Sequence, residues 1–290
     1  MKYQFMKDNS NIFPVLKMAN IFDISKSSYY AWLKRRPSAH EQRDGELLTE
    51  IRRVFQEKRQ KYGSPRIYKE LHGTCYSCAR SRIARLMRVN GLVARPKKRF
   101  KVTTDSKHDY PISPNLLGRN FSTDGINKCW VSDITYIDTY EGWLYLCSIL
   151  DLSSKRVVGW AMADHMRAEL AISALDMAVL HRNPPEGLIF HSDRGVQYAS
   201  TAFRDRLVKY NIVQSMSRKG DCWDNAPAES FFSTLKMEEV YTHKKYKTRE
   251  EARVSIFEYI EVFYNRQRSH SSLDYMTPVE YEEVSLQMVA

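Results

Sequence analysis

Long apolar runs are missing from this 290-residue chain. No stretch approaches the ~20 apolar residues of a membrane-spanning helix. The N-terminus, MKYQFMKDNSNIF, has no apolar core of a secretory signal. A cytoplasmic protein is therefore expected rather than a membrane or secreted one. Cysteine is scarce: Cys75, Cys78, Cys129, Cys147 and Cys222 are five in number, odd and mostly scattered. That suits a reducing compartment better than a disulfide framework. Cys75 and Cys78 form a single CxxC, and a structural zinc site would need a second pair; two ordinary thiols are expected. Repeats and low-complexity tracts are absent too, which excludes solenoids and largely disordered chains. What remains is a globular composition, 43% hydrophobic and 27% charged, with enough length for two or three domains whose cores need no staple.

The charge is unevenly spread. The whole chain is +11. Residues 1–118 carry 25 basic and 10 acidic side chains, whereas residues 119–290 carry 20 and 24. A strongly basic front joined to a mildly acidic back points to a polyanion-binding region attached to something else, and nucleic acid is the usual polyanion.

The front half reads as all-α. Residues 1–36 give a helix-turn-helix: Val15, Leu16, Met18 and Ala19 form one apolar face, Phe22-Asp23-Ile24 is the break, and Ser25 is the N-cap of a second helix. On that second helix Tyr29, Trp32 and Leu33 face inward, leaving Lys26, Ser27 and Tyr30 to meet DNA. Residues 36–45 read as a linker. Residues 46–92 form a second helical DNA-binding domain, with Leu47, Leu48, Ile51, Val54 and Phe55 inward on its first helix and Pro65 opening its second. A third helix over 77–89 carries Arg80, Arg82, Arg85 and Arg88 without interleaved acids, which suits phosphate contact. Residues 93–126 lose periodicity and read as a basic linker whose Lys97, Lys98 and Arg99 lie along a DNA backbone.

From residue 127 the pattern changes. Residues 130–137, 144–150 and 157–162 are strand-like, with connections short enough for hairpins. A helix over 167–181, a strand over 188–191, a helix over 203–210, a strand over 212–214 and a helix over about 226–239 follow. The order βββαβαβα is that of a ribonuclease-H-like α/β core over 127–240, a mixed five-stranded sheet with helices, preceded by the all-α domains. Capping boxes at Thr248–Glu251 and Thr277–Glu280 open helices in a C-terminal extension, 241–290.

Three acids stand out by position. Asp133 lies mid-strand, where a carboxylate is costly without a partner or a metal. Asp193 follows a strand end, where sites of open sheets gather. Glu229 lies in the first turns of a helix. Converging at one end of a sheet, three hard oxygen donors would hold Mg²⁺ or Mn²⁺. Two such ions about 4 Å apart clamp the attacking and departing oxygens of a phosphoryl transfer. Lys236, seven residues after Glu229 on the same helix face, reaches a phosphate or base near the scissile bond. His191 reads as structural. Asp138 and Asp151 read as solvated or hydrogen-bonded at strand edges, and Asp221 and Asp224 as turn residues. Trp223 reads equally as a base-stacking or a loop-anchoring aromatic.

The blocks KCWVSDITYI, HSDRGVQYAS and SMSRKGDCWDNAPAESFFSTLKMEEV resemble a DDE transposase with an integrase-type catalytic core, of the IS-three insertion-sequence family. The tail resembles the same family through Tyr264, Asn265, Arg268, His270, Thr277 and Pro278, and SSYYAWLKRR and KYGSPRIYKEL resemble its N-terminal segments. The resemblance implies that Asp133, Asp193 and Glu229 are the metal-binding triad, with the family's own 35-residue gap between the last two. It implies that Lys236 is the basic residue after the glutamate. It also implies cleavage at element ends and joining of the freed 3′-hydroxyl, typically through a circular intermediate and without a covalent enzyme–DNA bond. Double-stranded DNA is the expected partner, bound by at least a dimer on paired ends. Family members are often longer fusions carrying an upstream helix-turn-helix and coiled coil, so an upstream partner protein or fusion is a further expectation. Two alternatives stay open: a DNA-binding regulator and a metal-dependent nuclease, both on the same fold.

Overall fold

A computed structural model describes residues 1–72, 78–94, 110–123, 125–218, 221–243 and 245–287. Cys75 and the basic run Lys97, Lys98 and Arg99 lie outside the described residues.

Three short helices begin the chain: α1 (Lys2–Asp8), α2 (Val15–Phe22) and α3 (Lys26–Lys34). Asp23 takes the left-handed turn between α2 and α3, and the Ser25 hydroxyl accepts the Ser28 N–H at 3.0 Å, capping α3 as its sequence requires. Met6, Met18, Ala19 and Tyr29 form a small core of their own. Helix α1 has no clear sequence signal, since Met6 is its one buried residue. Leu33, expected inward, is exposed: α3 is too short and too peripheral for a second row of buried side chains.

The expected linker over 36–45 is corrected: residues from Ala39 onward are the first turns of α4 (Ala39–Glu57). Ser38 and Glu41 form a reciprocal capping box, the Glu41 N–H bonded to Ser38 Oγ and the Ser38 N–H to Glu41 Oε2. Those bonds outweigh the ~1 kcal/mol that Gly45 costs inside a helix. Helices α5 (Ser64–Leu71) and α6 (Arg80–Val89) complete this unit. Helix α6 starts three residues later than the pattern suggested and ends where Gly91 turns left-handed and the Leu92 N–H bonds Met87 O at 2.9 Å. Leu47, Ile51, Val54, Phe55, Ile67, Ile83 and Leu86 are buried between the three helices.

Strands β1 (Cys129–Thr139), β2 (Gly142–Asp151) and β3 (Val157–Ala163) form an antiparallel meander. Helix α7 (Ala168–Arg182), strand β4 (Ile189–Ser192), helices α8 (Val196–Ala199) and α9 (Thr201–Lys209), strand β5 (Val213–Met216) and helix α10 (Ala226–Glu238) follow. The sheet order is β3-β2-β1-β4-β5, with β4 parallel to both β1 and β5. This is the expected mixed five-stranded sheet, with the four-residue α8 as an addition. Side chains alternate along β1. Trp130 faces the α7–α9 side, where Phe190, Phe203 and Leu175 pack. Val131 and Ile137 face the opposite side, against Phe231, Phe232 and Leu235 of α10. At Gly159 helix α7 comes so close to β3 that a Cβ would strike the Ala174 carbonyl.

Helix α11 (Arg249–Phe257) runs on as a π-helical stretch, Glu258–Tyr264, and α12 (Pro278–Gln287) ends the described chain. The resemblance-bearing tail residues do structural work. Asn265 pairs like a strand residue, its side chain bonding both the N–H and the C=O of Val157 on the edge strand at 3.0 Å. Arg268 forks onto Glu238 of α10 through two 2.9 Å bonds. Thr277 and Glu280 close the expected capping box. The α4–α6 unit docks on the same side: Lys61 meets Glu239 at 2.8 Å, and the Tyr62 hydroxyl donates to Gln267 O and accepts the Ser269 N–H. Its apolar residues join those of α10 and α11 in one continuous core.

Candidate active site

Each of the three acids sits where a different element delivers it. Asp133 is central in β1 and shares the α10 face with Val131 and Ile137. Asp193 is the first residue beyond β4, whose parallel register with β1 brings its C-terminal end level with Asp133. Glu229 is in the first turn of α10. Asn225, the N-cap of α10, binds that helix to β1: its side-chain amide donates to Ser132 O, next to Asp133, at 3.0 Å.

The electrostatics join the three acids. Burial first, then the Asp193 and Glu229 charges, hold the Asp133 carboxyl well above its ordinary range, against the opposing pull of the Ile134 N–H and Lys236. Burial and the Asp193 charge push Glu229 up as well. Lys236 is buried, with its ammonium 4.8 Å from the Tyr136 ring centre. Burial lowers its pKa while the Asp133 charge opposes the change. It is thus turned toward the acids. Asp133 Oδ1 accepts the Ile134 N–H at 2.7 Å, and Asp193 Oδ1 accepts the Gly195 N–H at 2.9 Å. With the carboxylates turned to their own backbones, no three potential ligands form a ready metal cage among the described residues. Ser148, the cross-strand neighbour of Asp133, is fully buried, and its hydroxyl has no hydrogen-bond partner among the described residues; the same holds for Asn225 Oδ1. Hard oxygen donors under mutual repulsion, beside orphaned polar oxygens, fit a hydrated divalent cation.

Nearby residues divide into support and surface. His191 is fully buried, with Nδ1 2.8 Å from Ser215 Oγ and Nε2 3.2 Å from Ser217 Oγ; burial lowers its pKa to about 4, so it is neutral and structural, as expected. Asp224 proved more than a turn residue. It is fully buried and accepts from Arg218 (backbone N–H, Nε and Nη2), from Arg119 Nε and from Asn115 Nδ2. Arg218 foremost holds its carboxyl well below the ordinary range. Asp151 is likewise buried and takes the N–H groups of Asn127, Ser153 and Ser154. Asp138 pairs with Lys245 at 2.9 Å. Trp223 is 69% exposed, so it anchors no loop here. Sequence reasoning missed Asn225; the asparagine just before Ala-Pro was a legible N-cap signal.

Besides Lys236, the described residues expected to touch DNA are on α3 and α6. Lys26, Ser27 and Tyr30 share the exposed face of α3. On α6, Arg82 and Arg85 have a carboxylate after all: Asp44 of α4 takes Arg82 Nε at 2.7 Å and Arg85 Nη2 at 2.5 Å. Arg80 and Arg88 are exposed.

Residues 124–222 match the family model described as an integrase core domain, and residues 229–286, starting at Glu229, match a second one. An HTH-like domain model matches residues 41–100, which places it on α4–α6 rather than on α2–α3. Over 273 residues the chain is 43% identical to the insertion element IS600 uncharacterized 31 kDa protein of Shigella sonnei, covering 94% of this chain and all of that protein. Over 288 residues it is 38% identical to transposase InsF for insertion sequence IS3A of Escherichia coli (strain K12), covering 99% of this chain and all of the relative. Among solved structures, the simian T-cell lymphotropic virus intasome aligns with a TM-score of 0.46 at 16% identity, over 80% of this chain and 74% of that chain. The HTLV-2 integrase catalytic core domain in complex with magnesium aligns at 0.40 and 16%, over 54% and 95%.

Proposed function

The chain belongs to the insertion-sequence transposases that include InsF of IS3, and from that premise we propose that Asp133, Asp193 and Glu229 are the catalytic acids with which it cuts and joins DNA. The observation that carries this reading is the shared field of the three acids, in which Asp193 raises both Asp133 and Glu229. Like charge concentrated at a sheet end is costly unless a cation belongs there. These carboxylates would hold Mg²⁺ or Mn²⁺, two ions on this reading, which would supply polarisation of the attacking oxygen and stabilisation of the departing 3′-oxygen.

The chain's own residues do the rest. Asn225 fixes the N-terminus of α10 against β1, which sets Glu229 relative to Asp133. Lys236 offsets part of the negative charge on Asp133 and presents a cation to the phosphate of the bound strand. The exposed arginines Arg80 and Arg88, with Lys26, Ser27 and Tyr30, bind element-end duplex, as do Lys97, Lys98 and Arg99. Cleavage frees a 3′-hydroxyl, which attacks a phosphodiester of the second strand directly, so no side chain becomes linked to DNA. Two ends are held together by at least a dimer, acting alone or with an upstream protein. Among the described residues no helix is long and apolar enough to cross a membrane, in keeping with work on chromosomal DNA.

The test is strand transfer with Mg²⁺, using a labelled element-end duplex with a free 3′-hydroxyl, a target plasmid and Glu229→Gln as the control. Joined products from the native chain and none from the variant are expected. Cutting without joining would leave a nuclease; binding without either reaction, with and without the upstream protein, would leave a regulator.

A further inference from the structure

Helix α10 has a second working face. Glu229 and Lys236 lie on one side; on an adjacent side the helix lines a cavity of about 690 Å³. Its lining residues on the helix run from Ala226 at one end to Glu238 at the other, so the cavity follows the helix for roughly 18 Å. Arg66 of α5, Lys155 of the β2–β3 turn, and Arg268 and His270 of the tail complete it.

The lining carries an excess of positive charge. Glu238 is the one carboxylate among the lining residues, set against three cations. Arg268 occupies both of its oxygens, while Arg66 stands 3.6 Å from Oε1, outside hydrogen-bond range. The Lys155 ammonium gives one bond, to Leu152 O at 2.6 Å, out of three available donors. Burial foremost, then Arg268, Arg66 and Lys155 together, depresses His270, so all three cations converge on it and the imidazole adds no charge of its own. Hydroxyls of Ser230, Thr234, Ser271 and Ser272 also line the space. Concave geometry, two surplus positive charges and many hydroxyls are the chemistry that recognises phosphate.

We infer that this cavity is a second phosphate site, which grips a backbone phosphodiester of the DNA strand passing α10 beside the catalytic acids. The inference rests on reading α10 as the catalytic helix, but its test does not use catalysis.

The full chain, in EDTA, is titrated against a fluorescent element-end duplex at several salt concentrations. Lys155→Gln removes a cation and Thr234→Glu places an acid in the cavity; the two lie on different elements, and thermal melting checks that each is folded. Ser173→Glu, on the exposed face of α7, gauges the generic effect of added negative charge. Both cavity variants should bind more weakly at every salt concentration, with the slope of log K against log salt shallower by about 1, while Ser173→Glu behaves as native. Native slopes in both cavity variants would overturn the proposal, as would an equal loss in Ser173→Glu. So would inorganic phosphate raising the melting temperature of the native chain but not of Lys155→Gln, with DNA binding unchanged in both; the site would then serve free phosphate. Binding in EDTA involves no metal-dependent reaction, so failure of the catalytic assignment leaves this result readable.

Discussion

Asp133 and Asp224 lie on either side of Asn225 in the fold, and their surroundings are opposite. Asp224 is saturated: two arginines and an asparagine amide hold its oxygens, and Arg218 foremost pulls its pKa down. Asp133 has the Ile134 N–H and the Lys236 charge set against burial, Asp193 and Glu229, and its pKa is driven up. A buried acid provided with donors is architecture; breaking such a pair is costly. A buried acid surrounded by its own sign lowers stability and persists where function needs it. Asparagine substitution at the two positions separates these roles.

The largest effect belongs to Asp133→Asn. Loss of a ligand for ions that supply several kcal/mol of transition-state stabilisation lowers strand transfer on the order of 10³-fold or more. Stability moves the other way. A carboxyl whose folded pKa is raised binds more protons folded than unfolded, so its contribution to stability falls as pH rises from its ordinary value toward the folded one. Metal-free at pH 7, the variant should therefore melt above the native chain. Added Mg²⁺ should raise the melting temperature of the native chain by mass action and leave the variant unmoved. A variant that melts lower, or still responds fully to Mg²⁺, removes Asp133 from the metal site.

How much of this contrast could be read beforehand depends on distance along the chain. Asp133, Asp193 and Glu229 were legible because each sits on a local marker: mid-strand, strand end, first helical turn. The first three strands were legible as runs rich in aromatic and β-branched residues, and the fourth as a short buried run. Helix α1 was not, because one buried methionine makes no periodicity. The start of α4 was hidden by Gly45, although the Ser38–Glu41 box was in plain sight. The standing of Asp224 was only partly in reach: Arg218 is six residues upstream, but the donors Asn115 and Arg119 are more than a hundred away. The same holds for the cavity beside α10, which gathers Arg66, Lys155 and Arg268 from three separate segments.

Asp224→Asn should show the reverse pattern. It takes from Arg218 and Arg119 the buried one of the two anions they share, leaving Asp221, and places an unmatched amide in a buried position, a cost of about 1–3 kcal/mol at pH 7. The sign with pH is also reversed. A depressed carboxyl gives stability that is full above its unfolded value, here 3.8, and is lost as pH falls through the lower folded one. The gap between native and variant chains in urea melts should accordingly be widest near neutrality and narrow below about pH 4. An unchanged gap down to about pH 3 would mean that the charge on Asp224 contributes nothing to stability.

The smallest effect tests the residue next to Asp224. Trp223 precedes Asp224 in the turn before α10 and is 69% exposed. Removing an exposed side chain costs little, so Trp223→Ala should keep its stability within about 0.5 kcal/mol of native. A bare indole beside the catalytic helix is, however, a stacking platform for an unpaired base, worth about 1–3 kcal/mol in binding. The variant should therefore bind an element end with frayed terminal bases more weakly than native, while its affinity for a fully paired end of the same sequence holds. Equal loss on both ends would assign the ring to duplex contact. A fall in melting temperature comparable to that of Asp224→Asn would instead make the indole part of the Asp224 structure, and the boundary between the supported turn and the reactive site would move one residue toward the N-terminus.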